Sequence, residues 1–430
     1  MKRRHLLALT IALSASAAIP AFAQDAAKPY AGTQISVLME GHATTDGIQA
    51  LLPEFTKETG IEVNLEVVPE SDITAKELLE FSSASGRYDV VQNNIIFIPG
   101  FVKAGYIDPL DDLATKFPKD YDKSDFVPGY LNTNLLDGKL YGLPVYGEST
   151  FLMYRKDLFE QYGIQPPKSF DDVAAAAKTV KEKSEGKIAG ITMRGMQGIQ
   201  SVYVWAGWLW GYGGEFISKD GKSALGSEEA AKSLDAFASV LRNYGPVGVA
   251  NFGWEENRVL FQQGKAAMTM DATVNGAFNE DPSVSSVVGK VGYVPVPAQS
   301  DNLKGGSSSL AVHSLYVTSA SANKEAAWIF SAWATAKQQQ IKSFGIAPNS
   351  GVTSQAAMNS DEFNKRYGAF KEAMLGSIAK GNPQYLPTVQ AANEIINNAG
   401  IAVSKALAGT ASAKDALAEA NTANDAALAR

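Results

Sequence analysis

The stretch Leu140-Tyr-Gly-Leu-Pro-Val-Tyr-Gly-Glu-Ser-Thr-Phe-Leu-Met-Tyr154 reads as an apolar strand with one carboxylate, Glu148, in its middle. Removing a carboxylate from water costs roughly several kcal/mol unless charges or hydrogen bonds satisfy it. Glu148 therefore needs a partner cation such as Arg155 or Arg194, or the hydroxyls of a polar ligand. The pattern of the chain also restarts here, just after Leu143-Pro144.

Upstream of the strand, apolar patterning alternates between the two periods of regular structure. Ile35–Met39, Ile61–Val68 and Tyr88–Gln92 read as strands; Thr45–Thr59 and Ser71–Ala84 read as helices. Strands separated by helical patterns imply βαβ units and a mostly parallel sheet. Such sheets bind ligands beyond the carboxyl ends of their strands. Those ends are polar here, Glu40-Gly41-His42 and Gln92-Asn93-Asn94, although capped loops would look the same.

Downstream, a second α/β set follows: a helix from Lys156, a capped helix from Ser169, and strands Ile188–Met193, Ala266–Met270 and Val291–Val294. The Gly/Ser-rich segment Ala298–Ser309 reads as a crossover into a further strand, Leu310–Val317. A chain that passes between two α/β lobes by short crossovers has a hinge, a geometry suited to closing on a ligand. The expected division is 24–143 with 299–340 in lobe 1, and 144–298 with 341–430 in lobe 2.

Lys2, Arg3 and Arg4 precede an apolar run ending in Ala21-Phe22-Ala23, the pattern of a cleavable export signal spanning 1–23. The chain has no cysteine, which excludes disulfides, thiolate metal sites and a lipidated cysteine. Export without thiols or lipid suggests a periplasmic location. Against 38 basic residues stand 45 acidic ones; losing the signal leaves 35 against 45, a net charge of −10. That balance, without a basic cluster, argues against nucleic acid and anionic membranes as partners. Of the histidines only His42 and His313 lie beyond the signal, which leaves little scope for His-based catalysis or metal binding.

Other candidates are aromatic or charged. Trp205, Trp208 and Trp210 crowd the segment Tyr203–Tyr212, and Trp254 opens a helical pattern. Indole faces stack on the C–H face of a sugar, although the segment could equally pack into a core. Arg194 can pair with Glu148 or Asp271 and donate to ligand oxygens. Asp271 closes an apolar strand, where helix capping is the plain alternative. No nucleophile elbow, phosphate loop, zinc-binding His pair or dinucleotide fingerprint is present.

Several motifs in order carry a resemblance: Tyr88-Asp89-Val90-Val91, Tyr141-Gly142-Leu143-Pro144, Tyr154-Arg155-Lys156-Asp157-Leu158-Phe159, Trp208–Gly214, Phe261–Met268 and Gly305-Gly306. The chain resembles the carbohydrate-type solute-binding proteins of bacterial ABC importers, which share the maltose-binding-protein fold. Through Tyr146-Gly147-Glu148-Ser149, Arg194-Gly195, Asn243-Tyr244-Gly245-Pro246 and Asp271-Ala272-Thr273-Val274 it is most similar to the sorbitol/mannitol-type polyol binders. The resemblance implies two hinged α/β lobes and a monomer that delivers its ligand to a membrane permease, with no cofactor. It implies a cleft lined by Glu148, Arg194 and Asp271 with Trp254 or Trp208 stacking. Glu40, His42, Asn93, Ser308 and Tyr385 follow as secondary candidates. Ser307-Ser308-Ser309 stands where such relatives carry an aromatic, and Glu40-Gly41-His42 replaces a smaller polar loop. A secreted carbohydrate-active enzyme and a binder of an amino acid or oligopeptide are the alternatives.

Overall fold

The computed structural model describes residues 28–117, 121–299, 303, 305–347 and 351–430. The expected export signal lies outside them. Two sheets organise the chain. The first has five strands in the order Glu62–Val68, Gln34–Glu40, Val90–Asn94, Ala311–Val317, Gly142–Glu148. Its first three strands are parallel, joined by the helices Ala43–Thr59 and Glu70–Ser83. Ala311–Val317 runs antiparallel to both of its neighbours. The residues are those such a sheet requires: Ile35, Val37, Leu38 and Met39 are fully buried, because helices cover both faces of a parallel sheet.

The second sheet is antiparallel, with Thr150–Arg155 between Met268–Ala272 and Val291–Pro295. Ile188–Met193 joins it only through single bridges from Ala189 and Thr192 rather than as a strand, since the backbone N–H of Gly190 turns away to the Tyr244 carbonyl. The expected strand Ala266–Met270 is shifted to Met268–Ala272, which puts Asp271 inside the strand opposite Phe151 and not at its end.

The opening stretch turns out to be two strands in two sheets. Gly142–Glu148 ends in the first sheet, Thr150–Arg155 begins the second, and Ser149 is the step between. Residues 144–148, grouped above with lobe 2, thus hydrogen-bond in the first sheet. The chain steps back between Pro295 and Ser308, and the short parallel pair Ser308–Ser309 with Gly381–Asn382 lies beside that return. At Gly306 the segments are so close that a Cβ would sit 2.0 Å from the Lys380 carbonyl oxygen, so glycine is required there.

The tryptophan-rich segment forms the helix Ile199–Gly211, buried on every side. A helix apolar all round belongs in a core. It packs between Glu228–Tyr244 and Ala392–Ala408. Trp208 stacks on Phe170 with ring centres 4.0 Å apart, and Trp205 donates to Ser233 Oγ at 3.2 Å.

Candidate functional site

The step at Ser149 opens onto a cavity of about 150 Å³ between the two sheets. Glu40, His42, Glu70, Tyr146 and His313 face it from the first side. Arg194, Trp254 and Val274 face it from the second, and Glu148 stands at the seam. Larger hollows beside Phe81 and Phe216 lie away from the seam and gather no fully buried ionisable group.

The first side is set by strand ends. Glu40 is the last residue of its strand, 3% exposed. Its Oε1 accepts from Gln92 Nε2 at 2.9 Å and pairs with His313 Nδ1 at 2.8 Å; its Oε2 is buried without a partner. Burial opposes the charge of Glu40, but His313 and, less strongly, His42 hold its carboxyl below the usual range. His313 sits in an otherwise apolar strand, opposite Tyr146 in register. Burial resists its protonation, yet the Glu40, Glu70 and Glu148 carboxylates draw it up to about 9. Its Nε2 lies 3.2 Å from Asn94 Nδ2. The Asn94 Oδ1 accepts the Ile96 N–H, so the amide turns its NH2 toward the ring and opposes the second proton.

His42 caps the Ala43–Thr59 helix, its Nδ1 accepting from the Thr44 N–H at 3.2 Å. Burial, with His313 adding, pushes His42 down to about 4 against the pull of Glu40, so it is neutral at pH 7. Its ring packs on Tyr146 at 4.2 Å. A Cβ at Gly351 would strike the Tyr146 ring at 2.2 Å, so that glycine fixes the ring's position.

Glu148 pairs with neither arginine. Tyr146 donates to its Oε2 at 2.6 Å, and Tyr203 lies 3.4 Å from its Oε1. Burial raises Glu148 to about 7 despite Tyr146, Arg194 and His313. Arg155 binds Asp157 instead. Arg194 is engaged by Asp271 through Nε at 3.0 and 3.1 Å and Nη2 at 2.5 Å. Asp271, wholly buried, also accepts from Asn257 at 2.6 Å and from the Ala272 N–H at 2.7 Å. With its oxygens filled, Asp271 is a support for Arg194 rather than a lining group.

Trp254 starts its helix with Nε1 bonded to Asn275 Oδ1 at 2.8 Å, and Arg258 lies over its ring at 4.9 Å. Four other expected residues are outside the cavity wall. Trp208 is in the core. Asn93 spends its amide on Thr74 and Glu77. Ser308 is buried at the return crossing. Tyr385 donates to the Tyr203 carbonyl at 2.6 Å and so braces Tyr203 from behind. Tyr146, Glu70, Val274 and His313 were not singled out as site residues. His313 was findable by the argument used for Glu148, as a lone ionisable group in an apolar strand.

A polar cleft between two α/β bodies, reached where the chain passes from one to the other, is the arrangement of a capture-and-release binding protein. The chain belongs to the bacterial extracellular solute-binding protein family, whose model matches residues 41–341. It is 28% identical over 334 residues to a mannitol-binding protein of Pseudomonas aeruginosa, covering 75% of this chain and 74% of that one. A solute-binding protein of an ABC transporter from Agrobacterium radiobacter K84, solved with ribitol, superposes with a TM-score of 0.84 at 26% identity, covering 93% and 100% of the two chains. One from Agrobacterium vitis S4, solved with D-mannitol, gives 0.80 at 29% identity, covering 92% and 98%. Among the described residues no helix is long and apolar enough to cross a membrane.

Proposed function

We propose that this protein captures a sugar alcohol or a single sugar in the cavity between its two bodies and delivers it to the membrane permease of an ABC importer. The observation that carries the reading is the seam itself: acceptors Glu40 and Glu148, the donor Arg194 and the Trp254 ring converge from both sides on one small space. A polyol needs donors and acceptors for its hydroxyls and an apolar face for its C–H groups.

The lining suits a hydroxylated guest in its chemistry, with carboxylate acceptors and a guanidinium donor beside an indole face. Similarity to proteins solved with ribitol and D-mannitol supports the same class.

Glu148 accepts from hydroxyls in its ionised form, Arg194 donates through the N–H groups that Asp271 and Gln200 leave over, and Trp254 stacks. Asp271, Tyr385 and the core tryptophans hold these groups in place. Closure follows because the ligand touches both bodies and so stabilises the closed form over the open one. We assign the protein to the periplasm as a monomer released from its export signal.

A thermal-shift screen against alditols, aldoses and disaccharides tests the reading. Stabilisation by one or more alditols supports it; stabilisation by disaccharides alone, or by none, overturns it. Product release from glycosides would favour the enzyme alternative.

A further inference from the structure

The first-sheet end of the cavity gathers the carboxylates of Glu40 and Glu70 beside two imidazoles, His42 and His313. Glu40 Oε2 is buried and unpartnered. Glu70, exposed as a residue at the start of its helix, brings a carboxylate oxygen within 4.8 Å of the ligand atoms of Glu40 and His313. Two ring N–H groups stand nearby: His313 Nδ1, 2.8 Å from Glu40 Oε1 but outside hydrogen-bond geometry with it, and His42 Nε2, which carries the ring proton because Nδ1 accepts from the Thr44 N–H.

The charges are unbalanced. Glu40, Glu70 and Glu148 line the cavity, whereas Arg194 is engaged by Asp271 and His313 is paired with Glu40. Burial and the Glu40 carboxylate hold Glu70 toward its neutral form, the state that an added cation would reverse. The start of the Ala43–Thr59 helix does not make up the deficit, because His42 caps it and Asp46 lies in its first turn.

A hydroxyl placed here would satisfy one acceptor but bring no charge to the carboxylates. An ammonium has three donors and no acceptor, and it carries the missing charge. A metal ion fits less well, because His313 presents a protonated nitrogen. The Asn94 amino group makes Nε2 the acceptor in the neutral ring, so Nδ1 carries a proton whether the ring is neutral or charged.

We propose that the ligand is an aminated polyol or amino sugar whose primary ammonium binds between Glu40 and Glu70, the rest of its chain lying along Glu148, Arg194 and Trp254. This rests on the polyol reading above and names the class within it.

Calorimetric titration with matched probes tests it: sorbitol against 1-amino-1-deoxysorbitol, and glucose against glucosamine, at neutral pH. The aminated member of a pair should bind about tenfold tighter or better, the scale of one charge-assisted contact. Glu70→Gln should shrink that preference, taken as the ratio of the two affinities within the variant, to less than about threefold, with a cooperative apo melt showing that the variant is folded. Neutral probes binding as well as or better than aminated ones overturns the proposal and leaves the polyol reading standing. Binding by no probe overturns the proposal, and the alditol screen above then decides the polyol reading separately. Stabilisation by Ca²⁺ or Mn²⁺ alone, reversed by EDTA and lost in Glu70→Gln, overturns it in favour of a metal site.

Discussion

The two ends of the cavity each hold an acid–base pair, and the pairs are finished to different degrees. On the second side Asp271 receives three contacts from Arg194, one from Asn257 and one from a backbone N–H, so no oxygen is left over. On the first side Glu40 shares one oxygen with Gln92 and His313 and leaves the other bare. A buried acceptor without a donor costs free energy until something supplies one. The completed pair is framework, and the incomplete pair waits for a guest.

Breaking the framework pair should have the largest effect. Asp271→Ala strands a buried guanidinium and should cost about 3–5 kcal/mol of apo stability in urea unfolding. Glu40→Gln at the other end should cost less than about 2 kcal/mol, because the pair it disturbs was only half made. Equal losses would erase the distinction between the two ends.

Trp254→Ala should weaken polyol binding by about 2 kcal/mol or more, roughly thirtyfold, with little change in apo melting temperature. Trp208→Phe should do the reverse: lower stability by about 1 kcal/mol and leave affinity unchanged. Calorimetry and thermal melts on both variants separate the cavity indole from the core indole.

Glu148 gives a pH signature. Its folded value of about 7 lies above the ordinary carboxylate value of 4.5, so the folded state holds its proton more tightly than the unfolded chain. Apo stability from this group therefore falls as pH rises from about 4.5 to 7. Ligand hydroxyls need the ionised form, so affinity should fall as pH drops below about 7. In Glu148→Gln both slopes should flatten, with affinity near neutral pH reduced about tenfold. Unfolding and titration series from pH 5 to 8 check both signs.

The smallest effect is expected at His42. With its ring neutral down to about pH 4, it should contribute no pH dependence to binding above pH 5. His42→Gln should leave the pH profile of affinity unaltered.

The general architecture was legible because period and burial agree: fully apolar strands alternating with helices dictate a covered parallel sheet. Glu148 was legible for a related reason, as one charge in an apolar run. Sequence did not show that the run divides at Ser149, since both halves are equally apolar and only pairing partners tell them apart. Nor could it tell Trp208 from Trp254. Trp208 lies on a helix with no polar face, which is itself a sign of core, whereas Trp254 begins a helix and is placed by its neighbours Asn275 and Arg258. Glu70 stayed hidden because a carboxylate at a helix start is ordinary. Only the approach of Glu40 and His313 gives it another meaning.

The central claim is that a small hydroxylated guest bridges the two bodies at Glu148. Titration calorimetry of the wild-type protein and Glu148→Gln with a series of alditols, with maltose as control, tests it most directly. Saturable binding of at least one alditol, weakened in the variant, with no heat from maltose, is the expected result. Equal affinity in both proteins, or binding of maltose in place of every alditol, would contradict it.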